Sequence, residues 1–285
     1  MNVVARPRAG LSGSAAAARL AVAACALVLV LAGCSRGPGT AAAAAPARLT
    51  YTLMQMNLCL SGWAGCYAKV RYPAGIEDAV TRIRDARPDA VTLNEACSGD
   101  VARIARQTGY HVRFSRVIYG GKLLPCIRPR SRGLFGDAVL TSAAIEDSEN
   151  HAYAAQAGPE QRRWLCVSTR LSVDVCTSHL ASPDPAEIAA NAPQCAELRA
   201  LLARRAAAAR TVIFGGDVNR LSSCAPEGFW VRTDASGHQD PGSQQVYGTG
   251  ALRSPSVRVQ SATHTDHGVL LVRADLDGAA SSSRG

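Results

Sequence analysis

From Leu49 the chain alternates apolar and polar positions. Leu49, Tyr51 and Leu53 alternate with Thr50 and Thr52, a period of two that predicts a strand running into Asn57. The period then changes: Ile76, Ala79, Val80 and Ile83 recur at helical spacing, and Pro88 ends the helix. A-V-T-L-N-E, Ala90 to Glu95, is an apolar strand with an acid at its end. Val101, Ile104 and Ala105 mark a second helix, and A-V-L-T-S from Ala138 another strand. R-W-L-C-V-S-T and V-D-V-C-T-S-H read as two strands about a tight turn near Leu171, the second running into Ser178 and His179. In that hairpin Cys166 stands opposite Cys176. Leu198, Leu201 and Leu202 predict a helix beginning after Pro193. T-V-I-F from Thr211 predicts a strand stopped by Gly215 and Gly216, just ahead of Asp217 and Asn219. H-G-V-L-L-V-R, from His267, closes the pattern. The stretch from Cys224 to His264 is rich in Gly, Ser, Gln and Pro without a clear period, and is expected to line the substrate groove. Strands and helices so mixed, with an antiparallel hairpin among them, call for an α/β sandwich in which helices cover mixed sheets.

Ahead of this domain, Arg6, Arg8 and Arg19 precede the apolar run from Leu20 to Leu31. As a helix that run spans about 18 Å, too short for a bilayer core of about 30 Å, so it reads as an export leader. It ends in L-A-G-C, which resembles the lipobox of bacterial lipoproteins and implies cleavage before Cys34 with diacylglycerol on its thiol. The alternative is an ordinary secretory leader cut later in the Ala-rich stretch. Residues 34–48 are small, unpatterned and tether-like. The organisation expected is therefore a leader over 1–33, a tether over 34–48, one domain over 49–275 and a tail over 276–285. The protein would then sit outside the cytoplasm, lipid-anchored or secreted, touching membrane through the anchor alone and acting as a monomer. Eight cysteines fall within the domain, an even number that suits up to four disulfides in an exported chain. Cys59 with Cys66 forms a second, small loop beside the Cys166–Cys176 pair. A zinc site is the rival reading, but no two C-x-x-C pairs lie close together. Net charge is +9, or +6 without the three leader arginines, and only Lys69 and Lys122 are lysines. Arginine forks suit a polyanionic substrate, although an Arg- and Ala-rich composition bias would give the same excess.

Chemistry-bearing residues recur at strand ends: Asn57, Glu95, His179, Asp217 with Asn219, and Asp266 with His267. α/β scaffolds place their active residues there. Singly, Asn57 reads as a turn former, Glu95 as the neighbour of a helix cap and His179 as a core histidine. Asp217 and Asn219 read as an Asx turn, and Asp266 with His267 as a solvated loop. Their recurrence at five strand ends favours one shared site.

The stretches M-N-L (Met56 to Leu58), L-N-E-A (Leu93 to Ala96), T-S-H-L (Thr177 to Leu180), G-G-D-V-N (Gly215 to Asn219) and T-D-H-G (Thr265 to Gly268) together resemble the endonuclease/exonuclease/phosphatase superfamily. They follow that family's order and span nearly the whole domain. The resemblance implies a deoxyribonuclease-I-like fold, a four-layered α/β sandwich of two mixed sheets flanked by helices, and metal-dependent phosphoester hydrolysis. Glu95 would be the principal ligand to Mg²⁺ (Mn²⁺ or Ca²⁺ in its place), with Asn57 and Asp266 beside it. Asp266 would orient His267, and Asp217 would align or deprotonate the attacking water. Asn219 and His179 would bind phosphoryl oxygens. Three departures bear on substrate. Asn94 stands where the family often has Gln. Asp137 in G-D-A-V-L-T replaces an amide near the substrate. S-Q-Q-V-Y-G (Ser243 to Gly248) lacks the acid of the family's R-I-D-Y strand.

The reading that fits best is an exported nuclease acting on nucleic acid. A phospholipid phosphodiesterase keeps the chemistry and changes the substrate, but no aromatic-rich membrane hairpin stands out, and aromatic residues make up only 5% of the chain. A surface lipoprotein that binds without turnover would be expected to have lost a motif residue, and none is missing.

Overall fold

The computed structural model describes residues 49–276 apart from 238 and 240. The leader, the tether with Cys34, and the tail from 277 lie outside the described residues. In chain order the strands are β1 (Leu49–Asn57), β2 (Ala90–Cys97), β3 (His111–Arg116), β4 (Ile118–Tyr119), β5 (Lys122–Leu123), β6 (Phe135–Thr141), β7 (Ile145–Ala152) and β8 (Glu160–Gln161). They continue as β9 (Arg163–Thr169), β10 (Val173–Ser178), β11 (Thr211–Asp217), β12 (Trp230–Thr233), β13 (Gln244–Gly248), β14 (Leu252–Gln260) and β15 (Val269–Leu276). The helices are α1 (Ala74–Ala86), α2 (Ser98–Thr108) and α3 (Ile188–Ala207).

Two six-stranded sheets form, ordered β14-β15-β1-β2-β6-β3 and β12-β13-β11-β10-β9-β7, with a small β5-β4-β8 sheet beside them. Each large sheet has one parallel pair at its centre, β1 with β2 and β10 with β11, and antiparallel neighbours elsewhere. Three apolar layers account for the stacking. Ile76, Val80 and Ile83 of α1 and Val101 and Ile104 of α2 pack on Met54, Val91 and Leu93 of the first sheet. Tyr51, Leu53 and Val139 meet Val167, Val175 and Ile213 between the sheets. Leu198, Leu201 and Leu202 of α3 cover Val212, Phe214 and Tyr247 on the far side. The order helix, sheet, sheet, helix is the four-layered sandwich expected from the sequence.

Because both parallel pairs finish at one edge, the ends of β1, β2, β10 and β11 lie together. β15, antiparallel to β1, begins at that same edge. This delivers five strand-end motifs to one place.

Three expectations are corrected. Gly215 and Gly216 do not stop their strand: β11 runs through both to Asp217. A Cβ on Gly215 would lie 2.4 Å from Thr92 Oγ1 and 2.7 Å from Leu53 Cδ2, and one on Gly216 would lie 2.3 Å from the Ser178 carbonyl oxygen. Gly215 lets the two sheets approach closely, and Gly216 lets β11 pass close to Ser178 of β10 in its own sheet; neither bends the chain. α3 starts before Pro193, which lies inside it; the buried Ala190, Asn191, Gln194 and Cys195 hold that turn despite the missing N–H. The region from Cys224 to His264 contains β12, β13 and β14, and none of its described residues lines the cleft. Its Gln244, Gln245, Val246 and Tyr247 are wholly buried. Alternation fails to reveal β13 because two of its buried residues are glutamines.

The eight cysteines of the domain form Cys59–Cys66, Cys97–Cys126, Cys166–Cys176 and Cys195–Cys224. Both pairings read from the sequence are present. The bridge from Cys97 spans 29 residues and that from Cys59 spans 7. On loop-closure entropy, Cys97→Ala/Cys126→Ala should lose about 3.5 kcal/mol and Cys59→Ala/Cys66→Ala about 2.5 kcal/mol. Urea unfolding of the two double variants checks the order. A larger loss for the short loop would place the stabilisation in the native state rather than in the unfolded chain.

Candidate active site

Asn57 ends β1 with its side chain turned inward. Its Nδ2 donates to Glu95 Oε1 at 2.9 Å and to Asp217 Oδ2 at 3.1 Å, while its Oδ1 accepts from the Cys59 amide at 3.2 Å. One amide thus joins acids from both sheets. Glu95 reaches it through a break in the ladder. The register of β2 on β6 shifts between Leu93 and Ala96, and Glu95 takes φ +52°. A left-handed residue in a bulge re-aims one side chain off the sheet face, at a conformational cost of order 1–3 kcal/mol.

Asp217 ends β11, and its Oδ1 accepts the Asn219 amide at 3.1 Å in the Asx turn that the sequence suggests. Asn219, also at positive φ, donates through Nδ2 to the Leu180 carbonyl at 2.9 Å. Leu180 in turn donates its amide to the Asp217 carbonyl at 3.0 Å, which sets His179 beside Asp217. His267 Nε2 lies 3.7 Å from Asp217 Oδ2 and 3.7 Å from Asp266 Oδ1, so it faces two acids rather than Asp266 alone. His179 Nε2 lies 4.0 Å from Glu95 Oε1. Thr265 Oγ1 donates to the Asn57 carbonyl at 2.8 Å, fastening the loop ahead of β15 to the end of β1.

Burial pushes the Glu95 carboxyl up to about 7, against the Asn57 hydrogen bond and the nearby His267, with Asp217 adding to the rise. Burial likewise holds His179 well below the usual histidine range, helped by the charge of Arg162 and by His267. His179 is therefore a neutral imidazole at neutral pH.

Asn94, adjacent to Glu95, points the other way, into the space between the sheets. Its Oδ1 accepts the Asp217 amide at 2.9 Å and Gln55 Nε2 at 2.7 Å. Its Nδ2 donates to Asp137 Oδ1 at 2.9 Å. Gln55 also accepts from Thr92 Oγ1 and donates to Gln244 Oε1, and Gln244 donates to the Gly268 carbonyl. Asp137 is therefore placed beneath the site, buried in this network, and is not among the residues lining the cleft.

The cleft above these residues encloses about 450 Å³. Glu95, Asp217, Asn219, His179 and His267 line it, together with residues the sequence did not single out. Chief among these is Arg162, 5% exposed, whose Nη2 donates to Glu187 Oε2 at 2.9 Å while Nη1 lies 2.9 Å from Glu160 Oε1. Its Nε makes no hydrogen bond, and Nη1 is paired with Glu160 alone. A guanidinium lining a cleft brings positive charge toward an anion there. In the sequence it stands in the pair Arg162–Arg163 at the start of an apolar strand, where it looks like polar flank.

The donor set fits a hard cation. Glu95 is a carboxylate whose charge burial disfavours, and the oxygens of Asn57 and Asp266 belong to the same strand ends. The sulfurs of Cys59 and Cys66 also lie within 4.8 Å of the Glu95 carboxylate, but they are joined to each other and offer no thiolate.

A family model described as the Endonuclease/Exonuclease/phosphatase family matches residues 64–267. Among solved structures, an endonuclease/exonuclease/phosphatase from Beutenbergia cavernae aligns with a TM-score of 0.61 at 18% identity, covering 81% of this chain and 73% of that one. The human nocturnin catalytic domain with a bound sulfate anion gives 0.59 at 16% identity, covering 79% and 93%. TDP2 from D. rerio, complexed with a single-strand DNA product, gives 0.53 at 14% identity, covering 79% and 99%. A search of curated proteins found no match. At these identities the structural likeness is one of fold.

Burial raises Asp137 from an ordinary 3.8 to about 7, with the Asn94 hydrogen bond opposing. The folded state thus binds a proton that the unfolded chain releases. The stability Asp137 contributes is complete below about pH 4 and is lost as pH rises through about 7. Asp137→Asn keeps an acceptor for Asn94 and removes the charge. It should melt at least ~2–4 °C above wild type at pH 8, the shift that about 1 kcal/mol produces, and the gap should close by pH 4. Melting curves across that range check it; a constant gap would remove the titration from the account.

Proposed function

The chain belongs to the endonuclease/exonuclease/phosphatase family, and from that premise we propose that it is a divalent-metal phosphodiesterase acting on nucleic acid. One observation carries the reading. Glu95, His179, Asp217 and His267 come from four strand ends in two sheets onto one cleft that also holds Arg162, and buried Asn57 from a fifth ties Glu95 to Asp217 beneath it.

Asp217 is held by Asn57 and by the Asn219 amide, which leaves its carboxylate in one orientation toward the cleft. From there it accepts a proton from a water whose oxygen attacks phosphorus, as the ester P–O bond opposite breaks. His267, between Asp217 and Asp266, is placed to pass a proton on to the departing oxygen. Neutral His179 and the positive charge of Arg162, both on the cleft, favour the phosphoryl oxygens where negative charge builds up. Asn219 adds its second amide hydrogen. A divalent cation held by Glu95, with Asn57 and Asp266, would neutralise charge on the phosphate and the leaving oxygen. Nucleic acid is supported by the arginine-rich charge and by the DNA product bound to the D. rerio relative. The four disulfides and the apolar leader support placement outside the cytoplasm.

Hydrolysis of bis-p-nitrophenyl phosphate should require a divalent cation and stop with EDTA. Asp217→Ala and His267→Ala should each lower kcat by about 10²–10⁴, and Arg162→Ala should chiefly raise KM. Variants that keep the wild-type rate would overturn the assignment. Fatty-acid labelling of the exported chain should be lost in Cys34→Ser; an unlabelled wild type would leave the ordinary secretory leader.

A further inference from the structure

The cleft is built from unlike surfaces. Its floor carries Glu95, Asp217, His267 and Arg162, whereas one wall presents Trp63, Tyr119, Leu124 and Phe135. Trp63 is 59% exposed and Tyr119 44%, large flat rings left in water beside a charged floor. Two exposed rings together with apolar Leu124 and Phe135 on one cleft are the kind of patch that marks a binding groove.

This wall is rigid. Trp63 Nε1 donates to the Pro125 carbonyl at 2.9 Å, and the Ile127 amide donates to the Ser61 carbonyl at 3.0 Å, so the two loops that form it are bonded to each other. Cys59–Cys66 and Cys97–Cys126 rivet those loops to the ends of β1 and β2. Beneath them, buried Arg132 donates to the Leu60 carbonyl at 2.6 Å and to Asp100 at 2.7 Å. Tyr119 stands on the β4–β5 hairpin, paired with Glu160 of β8. The rings are therefore held in place before any ligand arrives.

The wall is also basic. Residues 58–73 and 117–135 contain Lys69, Arg71, Lys122, Arg128, Arg130 and Arg132 and no acid. All but Arg132 are exposed. A ligand that brings phosphates to the floor and the flank, and flat rings to Trp63 and Tyr119, is a polynucleotide with its bases unpaired. A duplex keeps the faces of its bases stacked inside.

Resting on the phosphodiesterase reading above, we propose that Trp63 and Tyr119 form a base-stacking platform, making this a single-strand-selective nuclease. The bases flanking the scissile phosphate lie on these rings, and the exposed Lys122, Arg128 and Arg130 follow the backbone beyond.

The test compares a single-stranded oligonucleotide, the same sequence as duplex, and bis-p-nitrophenyl phosphate, which has no base. Wild type should prefer the single strand. Trp63→Ala/Tyr119→Ala should raise KM for the single strand by at least about 10-fold more than for bis-p-nitrophenyl phosphate, stacking being worth about 5–150-fold per base. Trp63→Phe keeps a ring and gives up the bond to Pro125, and it should retain most of the single-strand preference. If Trp63→Phe fails as badly as the alanine variant, loop placement rather than stacking is at work and the proposal falls. It also falls if wild type cleaves bis-p-nitrophenyl phosphate but treats single strand and duplex alike. Binding to phosphatidylserine vesicles lost in the double variant, with oligonucleotide KM unchanged, would assign the wall to a membrane instead. No hydrolysis of bis-p-nitrophenyl phosphate by wild type would bring down the phosphodiesterase reading itself.

Discussion

The side-chain amide of Asn94 is the knot on which the site hangs. It lies wholly buried between the sheets, takes hydrogen bonds from the Asp217 amide and from Gln55, and gives one to Asp137. β1, β2, β6 and β11 are thereby locked in relative height, and β13 is drawn in through Gln244. In a low-dielectric interior an unpaired amide is costly, so the three partners have little freedom to drift. Strands held this firmly fix where Asn57, Glu95 and Asp217 end, without a loop to blur the position.

The same tie explains why Gly215 of β11 is needed. Amide-length bridges between sheets require the sheets to be close, and a β-carbon at Gly215 would overlap Thr92 and Leu53. Packing and chemistry are thus one constraint. The strained backbone at Glu95 and Asn219 is tolerated because the surrounding hydrogen bonds and disulfides over-determine it.

Much of this was legible in the residues. The helical spacing of Ile76, Val80 and Ile83 and the opposition of Cys166 to Cys176 are local signals, and each appears as read. Five motifs at strand ends announced a shared site, and the family match supports that kinship. What stayed hidden depends on distant partners. Gly215 and Gly216 carry the signature of a turn; only the facing sheet reveals Gly215, and only the neighbouring β10 reveals Gly216, as contact points. Gln244 and Gln245 look like loop residues because their buried partners, Gln55, Gly268 and Arg220, lie far away in sequence. Arg162 is hidden in part for the same reason: of its two counter-charges, Glu160 is local but Glu187 sits at the foot of α3, across the fold. Asp137 sits two residues after Phe135, which lines the cleft, but it shares with Val139 the face of β6 turned between the sheets, where Asn94 meets it.

The bridges Cys59–Cys66, Cys97–Cys126, Cys166–Cys176 and Cys195–Cys224 never interleave: each cysteine joins the next one along the chain. Eight cysteines allow 105 pairings, and this is the one reached by linking thiols in their order of emergence. A chain oxidised while it is threaded out N-terminus first would close each bridge before the following pair came into reach. Bridges closed in that order would leave few wrong links to rearrange.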